Sequence, residues 1–319
     1  MNGNLDEEIC MQQLEGFKEE GKEQLVCKLK RSIYGLKQAS RQWYLKFHDT
    51  ITFFRFQENK LDDCVYLKVS GSKFIFLILY VDDILLATNA LSLLHETKRF
   101  LSKNFEMKDM KSASFVLSIE IHIDRSKKIL GLSQKSYITK VVERFQMQNC
   151  STISCLIIKG DKLSQDQCPQ NDLEQHKMKT IPYDSVVGSV MYVQIYTCPN
   201  ISFAVGMLRR FQSNLGFDHW IATKKVMRYL QGTKDLILTY KHSDQFEIVG
   251  YSDSDFMGCI DSMKSTSGYV FILAGGAISW KSVKQTITAS STMEAEFIAC
   301  HEATSQAIWL RNFIEIFKL

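Results

Sequence analysis

Proline is scarce in this chain, with three residues in 319, and no apolar run is long enough to cross a membrane. The first absence suits a chain rich in helices, whose interiors proline breaks. The second, together with the lack of a signal-peptide pattern, leads us to expect a soluble intracellular protein, cytoplasmic or nuclear, and neither membrane-bound nor secreted. No C-x-x-C pair occurs among the nine cysteines, and their number is odd. Cys150 and Cys155 are the closest pair and have no histidine beside them, so reduced thiols are expected, without a disulfide frame or a zinc site. A dominant charge sign is also missing. Lys plus Arg total 39 against 35 Asp plus Glu, a net charge of +4 that permits a polyanionic partner without requiring one. Hydrophobic content of 45% and charged content of 23% fit a globular protein with a sizeable core, and the length leaves room for two or three domains.

One stretch organises the rest. Phe74 to Val81 is an unbroken apolar run, Asp82 and Asp83 follow it, and Ile84 to Ala87 are apolar again. Short apolar runs bounded by a turn signal predict strands buried on both faces, with Asp82 and Asp83 at the tip of a tight hairpin. Glycine, the usual residue of such a tip, is absent. Adjacent acids repel each other, so a cation is needed to hold them, and a hard divalent metal with oxygen ligands fits best. The competing reading is a solvated acidic turn. The apolar flanks weigh against it, because charge beside a core is expensive unless paired.

Bases and aromatics interleave from Lys28 to Tyr44, as expected where phosphates are neutralised and a base or sugar is packed. Trp43, Phe47, Ile51 and Phe54 predict an amphipathic helix from Gln42 to Phe54. Cys64–Val69 reads as a strand, turned by Ser70-Gly71-Ser72 into Phe74–Val81, so that Ile84–Thr88 completes a three-stranded meander. A helix follows over Leu93, Leu94, Thr97, Phe100 and Leu101, then a hairpin of Phe115–Ile123 with Lys128–Leu132. Helical spacing resumes at Tyr137, residues 150–180 read as a linker without periodicity, and two or three helices fill Tyr183 to Leu230. Three short strands (Ile248–Asp253, Gly268–Leu273, Ala277–Lys281) precede a long helix. Its apolar face is read as Met293, Phe297, Cys300, Ala307, Leu310, Ile314 and Phe317. Ser291-Thr292-Met293-Glu294 forms a good capping box at its start, a local use for Glu294 that competes with any other.

Tyr80-Val81-Asp82-Asp83 resembles the YxDD box of reverse transcriptases. Asn2–Met11, Leu29–Tyr44, Cys64–Lys68, Phe105–Met110, Phe115–Ile121 and Leu132–Ile138 are similar to successive segments of a copia-type retrotransposon reverse transcriptase, and Tyr183–Tyr192 with Gly206–Leu230 to its connecting region. Gly250–Gly258, Lys264–Phe271, Ile278–Lys281 and Ser290–Ala299 resemble the front of its RNase H domain. The fold this resemblance implies is α+β. Residues 1–130 would be a reverse transcriptase palm lacking the fingers and first catalytic strand, and 131–180 the thumb start and linker. Residues 181–245 would be a helical connection, and 246–319 the N-terminal half of an RNase H-like domain. The implied activities are RNA-directed DNA polymerisation and hydrolysis of the RNA strand of a hybrid, each at a pair of Mg2+ ions. Asp82, Asp83, Asp253 and Glu294 would be catalytic metal ligands, with Asp255 a lower-ranked candidate beside Asp253. Tyr34, Gly35, Lys37, Gln38, Arg41 and Tyr80 would contact dNTP or nucleic acid, and Leu117 and Ser118 would belong to the primer grip. Implied partners are RNA template, DNA primer, their hybrid and dNTPs, in a virus-like particle of the parent element.

Several positions depart from the family pattern. Its third polymerase carboxylate lies on a strand ahead of the Asn2-Gly3 turn, and its later RNase H acids lie beyond Leu319. Ser40 stands where proline is usual, and Ser118 where glycine is usual. The expectation is therefore a partial Pol copy with impaired activity, whose sites other Pol segments would complete. The alternative is a catalytically inactive nucleic-acid-binding remnant.

Overall fold

The computed structural model describes residues 5, 7–18, 21–22, 24–33, 35–36, 38–154, 163–243 and 247–315. The Asn2-Gly3 turn, Tyr34, Lys37, Cys155 and Phe317 lie outside them. The chain is a mixture of helices and antiparallel sheets in two compact units, Met1–Lys111 with Asn312–Leu319, and Ser112–Arg311.

In the first unit, β1 (Cys10–Gln12) and β2 (Val26–Lys28) form a two-stranded ribbon. Helix α1 (Ala39–Phe53) leads to a meander of β3 (Gln57–Glu58), β4 (Val65–Ser70), β5 (Lys73–Tyr80) and β6 (Asp83–Thr88), and α2 (Leu91–Asn104) follows. The meander thus has four strands where the sequence pattern showed three, because β3 is too short to carry a periodic signal. Phe47 and Ile51 of α1 and Leu93 and Leu101 of α2 pack on Tyr66, Ile75, Leu77 and Leu79, so both helices cover one sheet face. Burial along β5 alternates. Ile75, Leu77 and Leu79 are buried, while Ile78 and Tyr80 are 38% and 47% exposed. The expectation of strands buried on both faces is corrected here. An all-apolar run hides a period-2 pattern, and α1 and α2 cover just one of the two faces.

The second unit begins with β7 (Phe115–Val116), β8 (Ile119–Asp124), β9 (Ile129–Ser133) and α3 (Lys135–Arg144). The strand expected over Phe115–Ile123 is broken at Leu117–Ser118 by a two-residue turn, and β10 (Leu238–Lys241) joins β9 as a further strand. The expected linker contains a short helix, α4 (Asp172–Lys179), started by the Asn171 side chain accepting from the Glu174 amide at 2.9 Å. Helices α5 (Tyr183–Tyr196), α6 (Ser202–Leu208) and α7 (Phe217–Thr233) follow. Val186, Val187, Val190 and Val193 of α5 are fully buried against Val141 and Val142 of α3, Val205 and Leu208 of α6, and Met227 and Leu230 of α7. Four valines are poor helix formers, so this packing, and not propensity, keeps α5 helical.

The last sheet, β11 (Val249–Cys259), β12 (Lys264–Leu273) and β13 (Gly276–Lys284), has α8 (Thr292–Glu315) after it. The apolar face expected for α8 is only partly right. Met293 and Phe297 are 80% and 73% exposed and Cys300 is exposed, whereas Ala295, Ala299, Ala303 and Leu310 are buried. Alanines one turn apart form a flat stripe that seats close on a sheet, and the pattern of large residues pointed to the neighbouring stripe instead.

His219, fully buried at the start of α7, locks this unit. Its Nδ1 accepts from the Gly216 amide at 2.8 Å, its Nε2–H donates to the Ser164 carbonyl at 3.1 Å, and its ring stacks on Phe211 at 3.8 Å. Burial pushes its pKa below the ordinary 6.5, against the opposing pull of the Ser164 contact and of Asp218 and Asp261. A folded pKa below the unfolded one means the unfolded chain binds the extra proton first. The stabilisation is therefore present above pH 6.5 and is lost as pH falls from there through the lowered value. We expect urea denaturation midpoints to fall between pH 7 and 5, and His219→Gln to flatten that slope.

Candidate active site

Tyr80 and Asp83 are paired across β5 and β6, which leaves Val81 and Asp82 as the two turn residues. The hairpin tip therefore sits one residue earlier than expected, with Asp83 inside the strand. Directly opposed residues share a face, so Asp83 lies on the side of Tyr80 and Ile78, away from the helices, while Ile84 and Leu86 face the core. Asp82 and Asp83 are both exposed, and among the described residues neither side chain has an ion-pair or hydrogen-bond partner.

Val81 takes a left-handed backbone conformation, φ 52°, which is uncommon for any residue with a side chain and an outlier for a β-branched one. Its carbonyl accepts a hydrogen bond from the indole Nε1–H of Trp43 at 2.9 Å. Trp43 is one turn into α1, its ring edge-on to Phe105 at 5.3 Å and tilted on Phe47 at 5.8 Å. The same helix start places Gln38 at the N-cap, without a side-chain cap bond, and Arg41, exposed, in the first turn. Gly35, at φ 97°, precedes them in an exposed turn.

Leu117 and Ser118 form the two-residue turn between β7 and β8, both left-handed at φ 49° and 57°. The Tyr192 hydroxyl donates to the Leu117 carbonyl at 2.6 Å, and Tyr192 lies between Tyr137 and Tyr196, 4.8 and 4.7 Å from their rings.

Asp253 is exposed on β11, an end strand of its sheet. Its Oδ1 accepts from the Ser254 amide at 2.9 Å, and the same N–H lies 3.3 Å from Oε1 of Glu296 on α8. Two carboxylates thus converge on one donor. The Ser254 hydroxyl beside them is buried without a partner among the described residues. Glu294 is engaged in the helix cap. Its Oε2 accepts from the Ser290 amide at 2.6 Å and hydroxyl at 2.7 Å, and its own amide donates to Ser291 Oγ. Those Ser290 bonds hold its carboxyl below the ordinary range. Asp255 lies against Gly258, where a Cβ would stand 1.8 Å from its Oδ2.

Among the described residues no three His, Cys, Asp or Glu side chains are grouped to hold a metal ion. The donor sets still fit a hard cation. Asp82 with Asp83, and Asp253 with Glu296, are oxygen-only pairs without a basic partner among the described residues, and beside the second lies the Ser254 hydroxyl, likewise without one among them. Three residues escaped the sequence pattern. Trp43 reads from the sequence as an aromatic of the basic Lys28–Tyr44 segment and an apolar position of its helix, and Tyr192 only as the end of a segment similar to the connecting region. Glu296 was hidden by the capping box two residues ahead of it.

Residues 1–159 match the reverse transcriptase (RNA-dependent DNA polymerase) family. The chain is 44% identical over 316 residues to the retrovirus-related Pol polyprotein from transposon TNT 1-94 of Nicotiana tabacum, covering 99% of this chain and 24% of that protein. It is 32% identical over 318 residues to the corresponding polyprotein from transposon RE2 of Arabidopsis thaliana, 98% of this chain and 21% of that protein. The transposon Ty1-NL2 Gag-Pol polyprotein of Saccharomyces cerevisiae is 26% identical over 307 residues, 87% of this chain and 16% of that one. No solved structure matches. Over residues 1–159 the chain thus carries the reverse transcriptase family's domain. More narrowly, the chain belongs to the Pol polyproteins of copia-type retrotransposons, and it spans about a quarter of the length of the tobacco polyprotein and about a fifth of that from transposon RE2.

Left-handed Leu117 and Ser118 each carry a conformational cost of about 1–2 kcal/mol that glycine avoids, offset by roughly 0.5–1 kcal/mol of glycine's extra unfolded entropy. Ser118→Gly should raise unfolding free energy by up to about 1 kcal/mol, and Tyr192→Phe should lower it by about 1 kcal/mol. Urea denaturation followed by circular dichroism measures both.

Proposed function

We propose that this chain is a portion of an RNA-directed DNA polymerase with an attached RNase H region. Residues 1–130 would form part of the palm, 131–180 the thumb start and linker, 181–245 the connection, and 246–319 the front of the RNase H-like domain. The observation that carries this reading is the placement of Asp82 and Asp83, their side chains without a partner among the described residues, at a hairpin end, with Asp83 and Tyr80 on the sheet face opposite the one that α1 and α2 cover.

That open face gives a primer–template hybrid somewhere to lie. Tyr80 offers a half-exposed ring for packing against a sugar or base. Gln38 and Arg41, at the start of α1, would present an amide side chain and a guanidinium to the phosphates of an incoming dNTP. Gly35, and by the family pattern Tyr34 and Lys37, would belong to the same pocket. The Leu117–Ser118 turn would touch the primer end. Asp82 and Asp83 would hold Mg2+, as would Asp253 with Glu296, leaving Glu294 to its cap. Bound there, the metal supplies activation of the attacking hydroxyl or water and neutralises charge on the phosphate. Virus-like particles and other Pol segments are the expected setting, the latter supplying further acids.

Labelled dTTP incorporation on poly(rA)/oligo(dT) tests the polymerase reading, with the chain alone and with an added upstream Pol segment carrying a further acid. Mg2+-dependent incorporation is expected with that segment, and Asp82→Asn should reduce it at least about 100-fold without weakening hybrid binding. Absence of incorporation under both conditions, with salt-sensitive hybrid binding retained, would leave the non-catalytic binder as the better reading.

A further inference from the structure

The meander of the first unit contains two two-residue turns of the same kind. Between β4 and β5 the turn is Gly71–Ser72, and its first residue is left-handed at φ 62°. Between β5 and β6 the turn is Val81–Asp82, and its first residue is left-handed at φ 52°. The backbone demand is the same, but the residue that meets it easily is present only in the first. A valine in that position is strained at its N–Cα torsion. Relaxation of that torsion would carry the Val81 carbonyl and the peptide to Asp82 with it, and so would swing the Asp82 carboxylate away from Asp83.

The carbonyl of that peptide is where the Trp43 indole N–H is bonded, at 2.9 Å. Indole can only donate, so the bond admits one orientation of the peptide and opposes the rotated one. The indole cannot follow a moving turn, because Phe105 stands edge-on to it at 5.3 Å and Phe47 packs at 5.8 Å. We propose that Trp43 is a positioning residue: its indole N–H holds the Val81–Asp82 peptide in its strained orientation and so sets the Asp82 and Asp83 carboxylates in the relative geometry that binds a divalent cation. This rests on the reading of Asp82 and Asp83 as metal ligands, and it adds a contact between α1 and the metal-binding turn. Since α1 also carries Gln38 and Arg41, a shift at the dNTP end of the helix would reach the carboxylates through this one bond.

The test compares the full chain with Trp43→Phe, Val81→Gly, the double variant, and Asp82→Asn/Asp83→Asn. Trp43→Phe keeps a ring between Phe47 and Phe105 and deletes only the donor; circular dichroism and the melting temperature confirm that each variant is folded. Amide hydrogen exchange at Asp82 to Ile84 reads the turn without any metal. Mn2+ binding followed by electron paramagnetic resonance reads the carboxylates. Trp43→Phe should speed exchange at the turn and weaken Mn2+ binding about 3- to 10-fold. Val81→Gly, which makes the left-handed position easy, should restore at least half of that affinity in the double variant. Unchanged exchange in Trp43→Phe overturns the proposal, and so does faster exchange with unchanged Mn2+ affinity. If Mn2+ binding is the same in Asp82→Asn/Asp83→Asn as in the unaltered chain, the metal reading itself fails and the proposal falls with it.

Discussion

The period-2 alternation of a β-strand decides what the first unit can do. With Ile75, Leu77 and Leu79 turned to the helices, every second residue must face the other way, and cross-strand pairing carries that parity into β6. Tyr80 opposite Asp83 is the last rung of the ladder. A slip of one residue would turn Asp83 to the face that α1 and α2 cover, where an unpaired carboxylate is destabilising by several kcal/mol. The same apolar residues that build the core therefore keep the acid out of it. Core and site are two faces of one register.

Turn chemistry separates the ordinary part of the meander from its functional part. Gly71 occupies a left-handed position where nothing but a return of the chain is required. Val81, Leu117 and Ser118 occupy left-handed positions without glycine, and at Val81 and Leu117 a carbonyl is held by an aromatic donor from a helix. A glycine tip would form readily but would sample several orientations. A strained tip tied by a directional bond has fewer, which is what a pair of ligands needs.

Much of this was legible in the residues. Long amphipathic or apolar segments gave α1, α2, α5, α7, β5 and the sheet of β11 to β13, because burial on that scale leaves a clear period. Short elements escaped. β3 and β10 have too few residues for a period, and the Leu117–Ser118 turn lacks the glycine or asparagine that would have marked it. The α8 face was misread for a related reason: the hydrophobic signal came from its largest residues, whereas contact with the sheet selected its smallest. At the proposed sites, the acidic residues stand out in the chain alone. The groups bonded beside them and at the Leu117–Ser118 turn do not, since Trp43, Tyr192 and Glu296 act over 38, 75 and 42 residues of sequence separation.

Both acidic pairs share a structural address. β6 is an end strand of its sheet and β11 of its own, so each pair sits where backbone groups are not all taken by a neighbouring strand. At β11 this has a visible consequence, because the Ser254 amide at the edge is free to gather Asp253 from the strand and Glu296 from α8. A central strand could not do this, since its amides are bonded on both sides. Glu294, only two residues away, turns instead toward Ser290 and completes the cap. The two glutamates thus divide the work along the helix, one fixing where α8 starts and the other using that fixed start to reach the strand edge. Removing the cap should loosen the second contact even though the two carboxylates never share a partner among the described residues.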